Sequence, residues 1–375
     1  MRKLERYLGI VLLVLLTGMV CSCGKEEVSN PETSEKVNLN LQLLGISRTT
    51  NQGTEFDNLI KTLRILITDV EGNILVNGML ENLTSNTVRI MGVPRTQIRI
   101  YAFANEASMG RNLDTASLLA DIDQNDYIHT GPPEIPGKGD GKLEPAEILA
   151  RAWDDTQNTY FPLTVSDAVR KGLGLPMTGH LGVADNTTYH DGGEPIDLNG
   201  DQTEYSIEIY LVRSVVKVVV NLTNNTGSEI NLSQIGFGRF FADKVYYYSH
   251  ENDGQETGPM PFDTALDFKI FDVSEILESK TDVSKEVLVY YMYPSATDNN
   301  TEYYRYSIAL DGTGNFPKSA YKEFYKTEGA RTVLWRNSIM EINGTINPGS
   351  ISVTSTISVE IEDWQKKEDM DIEFN

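Results

Sequence analysis

Apolar and polar residues alternate most regularly near the start of the chain. The four apolar positions of this stretch are Val37, Leu39, Leu41 and Leu43. Amides stand between them, so an extended strand would bury one face and turn the other towards water. The pattern ends at Gly45, and the polar segment 47–53 places Arg48 in an accessible loop, where proteases cut most easily. We interpret the stretch either as an ordinary first strand or as a strand that cleavage can remove.

Strand-like segments recur along the rest of the chain. The apolar positions of 56–70 and 74–76, joined by a turn that contains Gly72, predict a β-hairpin. The longest apolar segment, 205–222, changes its apolar positions from odd to even numbers. This change predicts a bulge or bend near Arg213 and Ser214.

Helix is scarce in the pattern. One short helix is predicted at 114–122, with Asp114 as its cap, and helical turns are predicted at 144–150 and 166–171. The remaining segments are short, apolar and separated by turn residues, which is typical of an antiparallel β-sandwich. The sequence therefore predicts an all-β protein with few short helices.

The distribution of turn residues also suggests how the chain is divided. A long stretch rich in Gly, Pro, Asp and Asn ends near residue 200. We therefore expect an N-terminal domain at 49–200 and a C-terminal domain at 201–349. The tail, 350–375, alternates again and predicts one more strand with a single apolar face. Its apolar positions are Ile351, Val353, Ile357, Val359 and Ile361.

Residues 1–22 predict a signal peptide, because basic residues precede an apolar run that is too short for a mature membrane helix. The residues around Cys23 resemble a bacterial lipobox, which makes Cys23 the expected lipid-bearing residue, with Cys21 as the alternative. The propeptide would then be 23–48. Since these are the only two cysteines, we expect neither a disulfide framework nor a cysteine-based catalytic or zinc site in the exported protein.

Composition and charge narrow the class further. The chain has 375 residues, of which 40% are hydrophobic, so it can bury sizeable cores. Its formal charge is −22, and removing residues 1–22, which hold three basic residues and one acidic residue, leaves −24. Such an acidic surface disfavours nucleic acids and anionic membranes, so we predict no nucleic-acid partner.

Candidate catalytic residues form no recognisable constellation. The four histidines lie in separate polar stretches without metal-ligand spacing; they are His129, His180, His190 and His250. The Gly-x-Ser-x-Gly motif of a nucleophile elbow is absent from the sequence. Asp154 and Asp155 form an adjacent acidic pair in a chain with 54 acids, where a solvated face explains them better. We predict no enzyme activity and no cofactor.

One segment resembles a calcium loop. Asp197, Asn199, Asp201 and Glu208 match ligand positions 1, 3, 5 and 12 of such a loop. Gln202 replaces the glycine that the sixth position needs, and Glu208 falls in a predicted strand. We therefore predict no metal site, with calcium binding as the alternative to a plain polar hairpin.

Taken together, these motifs resemble a known family. The chain is similar to fimbrillins of the FimA-like superfamily of Bacteroidetes, the subunits of the type V pilus, over nearly its whole length. The segments that carry the resemblance are the lipobox at Cys23, the loop 47–49, and the segments 63–72, 100–106, 175–179, 211–217, 291–294 and 335–337.

The resemblance implies two transthyretin-like antiparallel β-sandwich domains and export as a lipoprotein to the outer membrane. It also implies cleavage between Arg48 and Thr49 by an arginine-specific surface protease, followed by strand exchange that builds adhesive surface fimbriae. The expected partners are other fimbrial subunits, either copies of this chain or tip and anchor proteins. The resemblance does not identify the receptor.

Elementary physics favours the same mechanism. Removal of the strand 37–43 would expose an apolar groove with unpaired backbone edges, which a donor strand from a neighbouring chain can fill. The alternating tail is the candidate donor, and because donor and groove lie on different surfaces, the contact can repeat into a filament.

Two alternatives remain at this stage. The chain could be an anchor or tip subunit of the same pilus. It could also be a monomeric surface lipoprotein that binds glycans or host molecules through its aromatic residues, which include Trp153, Tyr160, Tyr189 and 246–248.

Overall fold

The computed structural model describes the chain in separate ranges. These are residues 36–46, 59–81, 83, 85–109, 113–119, 141–143, 148, 152–154, 163–164, 172, 174–181, 195–238, 244–248, 251–252, 255–256, 269–280, 283–296, 306–314, 316, 321–324, 333–334, 336–358 and 370–371.

Strands dominate the described residues, as the alternating pattern predicts. In chain order they are β1 (Lys36–Ile46), β2 (Thr62–Asp69), β3 (Ile74–Glu81), β4 (Thr87–Pro94), β5 (Gln97–Ala104), β6 (Ala152–Asp154), β7 (Leu163–Thr164), β8 (Met177–Leu181), β9 (Ile196–Asp197), β10 (Glu204–Arg213), β11 (Val216–Asn224), β12 (Ile230–Gly238), β13 (Lys244–Tyr246), β14 (Glu251–Asn252), β15 (Gln255–Glu256), β16 (Lys269–Leu277), β17 (Ser284–Met292), β18 (Ser295–Ala296), β19 (Tyr306–Gly314), β20 (Tyr321–Phe324), β21 (Val333–Leu334), β22 (Ile339–Asn347), β23 (Ser350–Ser358) and β24 (Met370–Asp371).

Among the described residues, only two helical elements are longer than one residue. These are a 3₁₀ helix at Glu106–Met109 and α1 at Thr115–Leu119. The backbone N–H of Leu118 donates to the carbonyl oxygen of Asp114 at 2.9 Å, which begins the short helix where the sequence predicts it. Most residues of the predicted turns at 144–150 and 166–171 lie outside the described residues.

The strands form three larger sheets, which makes the protein an all-β sandwich. The nine-stranded sheet has the order β24-β4-β1-β10-β8-β5-β2-β3, with β9 beside β5. A five-stranded sheet has the order β23-β22-β11-β17-β7, and a four-stranded sheet has the order β16-β12-β19-β20. Three two-stranded pairs complete the described strands; they are β13-β6, β14-β15 and β18-β21.

Most strand pairs are antiparallel, as predicted, but three are parallel: β1 with β10, β11 with β22, and β24 with β4. Parallel neighbours need a long crossover connection. The chain meets this need because the paired residues are far apart in sequence, as in Asn38 beside Glu204 and Lys217 beside Ile339.

Two predicted features of the strands are confirmed. The hairpin of β2 and β3 turns at Gly72, whose φ of 85° lies in the left-handed region that glycine adopts at little cost. The long apolar segment 205–222 breaks at Ser214 and Val215 into β10 and β11, which belong to different sheets. The change of apolar positions from odd to even numbers therefore reflects a change of sheet.

The buried apolar residues form two main clusters. The first collects side chains from β1, β2, β4, β5 and β10 and extends along the chain as far as Val215; it also includes Tyr247, Tyr248, Tyr291 and Tyr293. The second begins at Val216 and is built from the strands of the five-stranded and four-stranded sheets. Along the chain, the first cluster gives way to the second between Val215 and Val216, beyond the expected domain boundary at residue 200.

The tail does not stand alone in this chain. After the turn at Gly349, which has a φ of 76°, β23 pairs with β22 in an antiparallel hairpin from Ser350 to Ser358. Ile351 is partly buried and packs against the second cluster. β23 therefore forms one edge of the five-stranded sheet within its own chain.

Candidate functional site: the groove that holds the first strand

β1 lies inside the nine-stranded sheet, between β4 and β10. Nine consecutive residues of β1, from Asn38 to Ile46, are aligned with Glu204 to Val212 of β10 in the parallel direction. On the other side, the backbone N–H of Leu43 donates to the carbonyl oxygen of Asn86 at 2.7 Å. A strand in this position leaves two open edges when it is withdrawn.

The direction of β1 against β4 follows from two hydrogen bonds. Leu43 contacts Asn86, which precedes β4, while the Asn38 side-chain oxygen accepts a hydrogen bond from the backbone N–H of Gly92 at 3.3 Å. Residue numbers rise along β1 as they fall along β4, so the two strands are antiparallel. β1 therefore runs with β10 and against β4.

The inward face of β1 is fully buried. Val37 is 1% exposed, and Leu39, Leu41 and Leu43 are 0% exposed. All four belong to the first core cluster, together with the buried apolar residues of both flanking strands, which are Val88, Ile90, Val93, Ile209 and Leu211. The prediction of a half-buried strand is confirmed, and the groove floor is the core itself.

The outward face of β1 carries amides, as the alternation predicts. Asn38 and Asn40 are half-buried, and Gln42 is exposed. An ion pair crosses this face: Nη2 of Arg89, on β4, lies 3.1 Å from Oε1 of Glu204, on β10. The alternation of Arg89 with buried Val88 and Ile90 predicts that Arg89 points outward, but no pattern in the sequence identifies its partner on β10.

The predicted processing residues lie outside the described residues. These are the lipidation site Cys23 and the cleavage residues Arg48 and Thr49. β1 ends at Ile46, so the expected cleavage site between Arg48 and Thr49 follows the strand after two further residues. Cleavage there would separate β1 from the rest of the chain.

The candidate donor residues fall partly within β23. Ile351 is half-buried, and the backbones of Val353 and Ile357 pair with β22. Val359 and Ile361 lie outside the described residues. Within the described residues, β23 has a partner on one side only, because it ends the five-stranded sheet.

The candidate calcium loop is a local polar turn in the structure. Oδ1 of Asp197 accepts hydrogen bonds from the backbone N–H and the side-chain amide of Asn199, at 2.9 and 2.7 Å. Glu208 lies on β10, where it accepts a hydrogen bond from the hydroxyl of Tyr210 at 3.1 Å. Across the described residues, no three His, Cys, Asp or Glu side chains are grouped so as to hold a metal ion.

Only two of the remaining chemical candidates lie within the residues that the structure describes. The described part of the chain includes His180, on β8, and Asp154, on β6, whereas His129, His190, His250 and Asp155 lie outside it. No helix among the described residues is long and apolar enough to cross a membrane.

The aromatic run 246–248 is largely part of the core. Tyr247 is 4% exposed and Tyr248 is 0% exposed, and both make edge contacts with Phe103 at ring-centroid distances of 5.6 and 5.7 Å. Burial raises the pKa of the Tyr248 phenol well above its ordinary value, with Tyr101 adding to the effect. These two rings are not available for stacking on a sugar.

The comparisons with known proteins give structural likenesses only. No protein-family model and no curated protein sequence matches the chain. Among solved structures, a candidate cell adhesion protein from Parabacteroides distasonis is similar at 14% identity, covering 90% of this chain and 99% of its own, with a TM-score of 0.46. A candidate cell adhesion protein from Bacteroides eggerthii also has 14% identity and a TM-score of 0.46, covering 88% of this chain and 97% of its own.

A fimbrilin, FimA, from Porphyromonas gingivalis is similar at 12% identity, covering 89% of this chain and 100% of its own, with a TM-score of 0.43. Because these TM-scores lie below 0.5, the assignment of the fold rests on the strands of this chain.

Proposed function

We propose that this chain is a structural pilin that is exported as a lipoprotein, cleaved after Arg48 and polymerised by donor-strand exchange into adhesive surface fimbriae. In this proposal Cys23 carries the lipid that holds the precursor at the outer membrane. An arginine-specific surface protease then separates β1 from the rest of the chain.

The observation that carries the proposal is the burial of β1 next to the predicted cleavage loop. Fully burying an aliphatic side chain stabilises a fold by about 1.5–3 kcal/mol, so the four side chains of β1 together contribute roughly 6–12 kcal/mol. Each backbone hydrogen bond to β4 or β10 adds about 1 kcal/mol. A chain that loses β1 has a strong drive to accept another strand in its place.

The occupant we propose is the tail of a second copy of the chain. Its alternating aliphatic residues can occupy the positions of the β1 side chains when the register is kept. Since residues 350–358 pair with β22 in this chain, donation requires either that β23 leaves β22 or that the donor includes the residues beyond Ser358. The contact joins two different surfaces, so it can repeat and build a filament.

N-terminal analysis of surface protein tests the cleavage step. We expect the mature chain to begin at Thr49. An intact, lipidated Cys23 on all surface protein would contradict the proposal and favour an anchor subunit, which keeps its first strand in place.

Two truncations test the donor role. A chain that ends at Ser358 keeps the β22–β23 hairpin, whereas a chain that ends at Gly349 loses it. After arginine-specific proteolysis, we expect neither truncated chain to form SDS-resistant ladders or filaments in electron microscopy, while the full-length chain forms both. Circular dichroism of the chain ending at Ser358 supplies the folding control, because its five-stranded sheet is complete.

Filaments from the chain that ends at Gly349 would refute the donor role. If the chain that ends at Ser358 formed filaments and the chain that ends at Gly349 did not, the donor strand would be β23 itself. A substrate panel that gave metal-dependent turnover with the purified full-length protein would contradict the structural role as a whole.

A further inference from the structure

We propose that Arg89 and Glu204 form a clasp across the groove, and that this clasp determines which strand can occupy it. The word clasp refers here to these two residues and their ion pair. The part of the inference that concerns the tail of a second copy rests on the function proposed above.

The geometry of the sheet requires the ion pair to cross β1. Neighbouring strands lie about 4.8 Å apart, so β4 and β10, which flank β1, are separated by roughly 9–10 Å. Arg89 and Glu204 nevertheless approach to 3.1 Å. Both residues point to the face opposite the core, so their side chains must meet above the strand that lies between them.

The register identifies the residues beneath the clasp. Asn38 is aligned with Glu204 on β10. Counting back along the antiparallel pair from the contact between Leu43 and Asn86 places Asn40 beside Arg89. The clasp therefore runs diagonally between Asn38 and Asn40, and the half-burial of these two amides agrees with a covered position.

The Nε atom of Arg89 is also buried, which agrees with a side chain that lies along the outward face of the sheet. In the proposed clasp this side chain passes close above the backbone of β1. A short outward side chain fits under the ion pair, whereas an indole ring at the same position has to push the two charged side chains apart.

The clasp acts mainly by shape. The Arg89 and Glu204 side chains are 33% and 48% exposed, so solvent screens their attraction and the ion pair itself adds little to stability. The outward positions of β1 under the clasp are short amides. Within β23 the outward positions are equally short: Ser352, Thr354, Thr356 and Ser358. The clasp thus admits this part of the tail and rejects strands with bulky outward side chains.

A double-mutant cycle in the full-length, uncleaved chain tests the clasp. Asn40→Trp is made in the wild type and in Arg89→Ala, and the equilibrium constant for unfolding is measured in urea. We expect Asn40→Trp to raise this constant at least about 3-fold more in the wild type than in Arg89→Ala, which is within the range of coupling between residues in contact.

Gln42→Trp is the matched control, because Gln42 is exposed on the same face but lies beyond the clasp. It should raise the unfolding constant equally in both backgrounds. Asn40→Phe, with a ring smaller than indole, repeats the cycle in case the tryptophan variant does not fold. A Glu204→Ala background should relieve the effect of the bulky residue as Arg89→Ala does.

If the Asn40 substitutions changed the unfolding constant equally in all backgrounds, the proposed clasp would be refuted. The measurement is made with β1 in place, so its result does not depend on strand exchange. If the double-mutant cycle showed coupling but the cleaved chain formed no filaments, the clasp would be supported and the proposed function would be contradicted.

Discussion

Leu41→Ala is the substitution that separates the two roles of β1 most sharply. Leu41 is 0% exposed and lies in the first core cluster, in the middle of the strand. Leucine-to-alanine changes at such positions cost about 2–5 kcal/mol, because the transfer free energy is lost and a cavity remains. This is a large share of the roughly 5–15 kcal/mol by which domains are usually stable.

The effect should depend on the state of the protein. In the uncleaved chain, Leu41→Ala should lower the free energy of unfolding by this amount, measured by urea denaturation with circular dichroism. In filaments that form after cleavage, β1 is no longer part of the subunit, so the same substitution should leave the SDS resistance and thermal stability of the polymer unchanged.

Gln42→Ala is the control, because Gln42 is exposed on the opposite face and surface substitutions usually change stability by less than about 0.5 kcal/mol. If Leu41→Ala weakened filaments as much as the uncleaved chain, β1 would still be in the groove and the reasoning would fail. If it left the uncleaved chain unchanged, the burial of β1 would not stabilise the fold.

Three further predictions concern the first core cluster and its surroundings. Glu106→Ala should cost about 3–5 kcal/mol in urea denaturation, because it leaves the buried Arg64 guanidinium without the carboxylate that it contacts at 2.7 Å; a loss below 1 kcal/mol would contradict this. Gly179→Ala should lower the thermal midpoint by the equivalent of about 1–3 kcal/mol, because the added Cβ would lie 2.7 Å from the Cβ of Ala102, and an unchanged midpoint would refute the close packing. Since the pKa of Tyr248 is raised in the folded chain, its contribution to stability is complete below about pH 10 and is lost as the pH rises further; the urea midpoint should therefore fall more steeply above pH 10 in the wild type than in Tyr248→Phe, and parallel curves would contradict the burial effect.

The local sequence pattern was sufficient to predict the strands and turns that depend on residues close in sequence. The alternation from Val37 to Leu43 identifies both the strand and its buried face, since side chains on a strand alternate between two faces. Gly72 marks the hairpin turn because few other residues adopt its backbone conformation. The switch of apolar positions near Arg213 identifies the break between two strands.

Pairing of distant segments could be known only from the tertiary structure. Alternation specifies which face of a strand is buried, but many strands in one chain offer a matching face, and the choice among them depends on packing of the whole core. For this reason the sequence did not reveal that β1 runs parallel to β10 or that Arg89 reaches Glu204 across it. The sequence by itself predicted a strand that cleavage could remove, next to a loop that contains Arg48. Only the fold decided that this strand lies between two others, because hydrogen-bond partners from distant parts of the chain are brought together by the burial of a shared core.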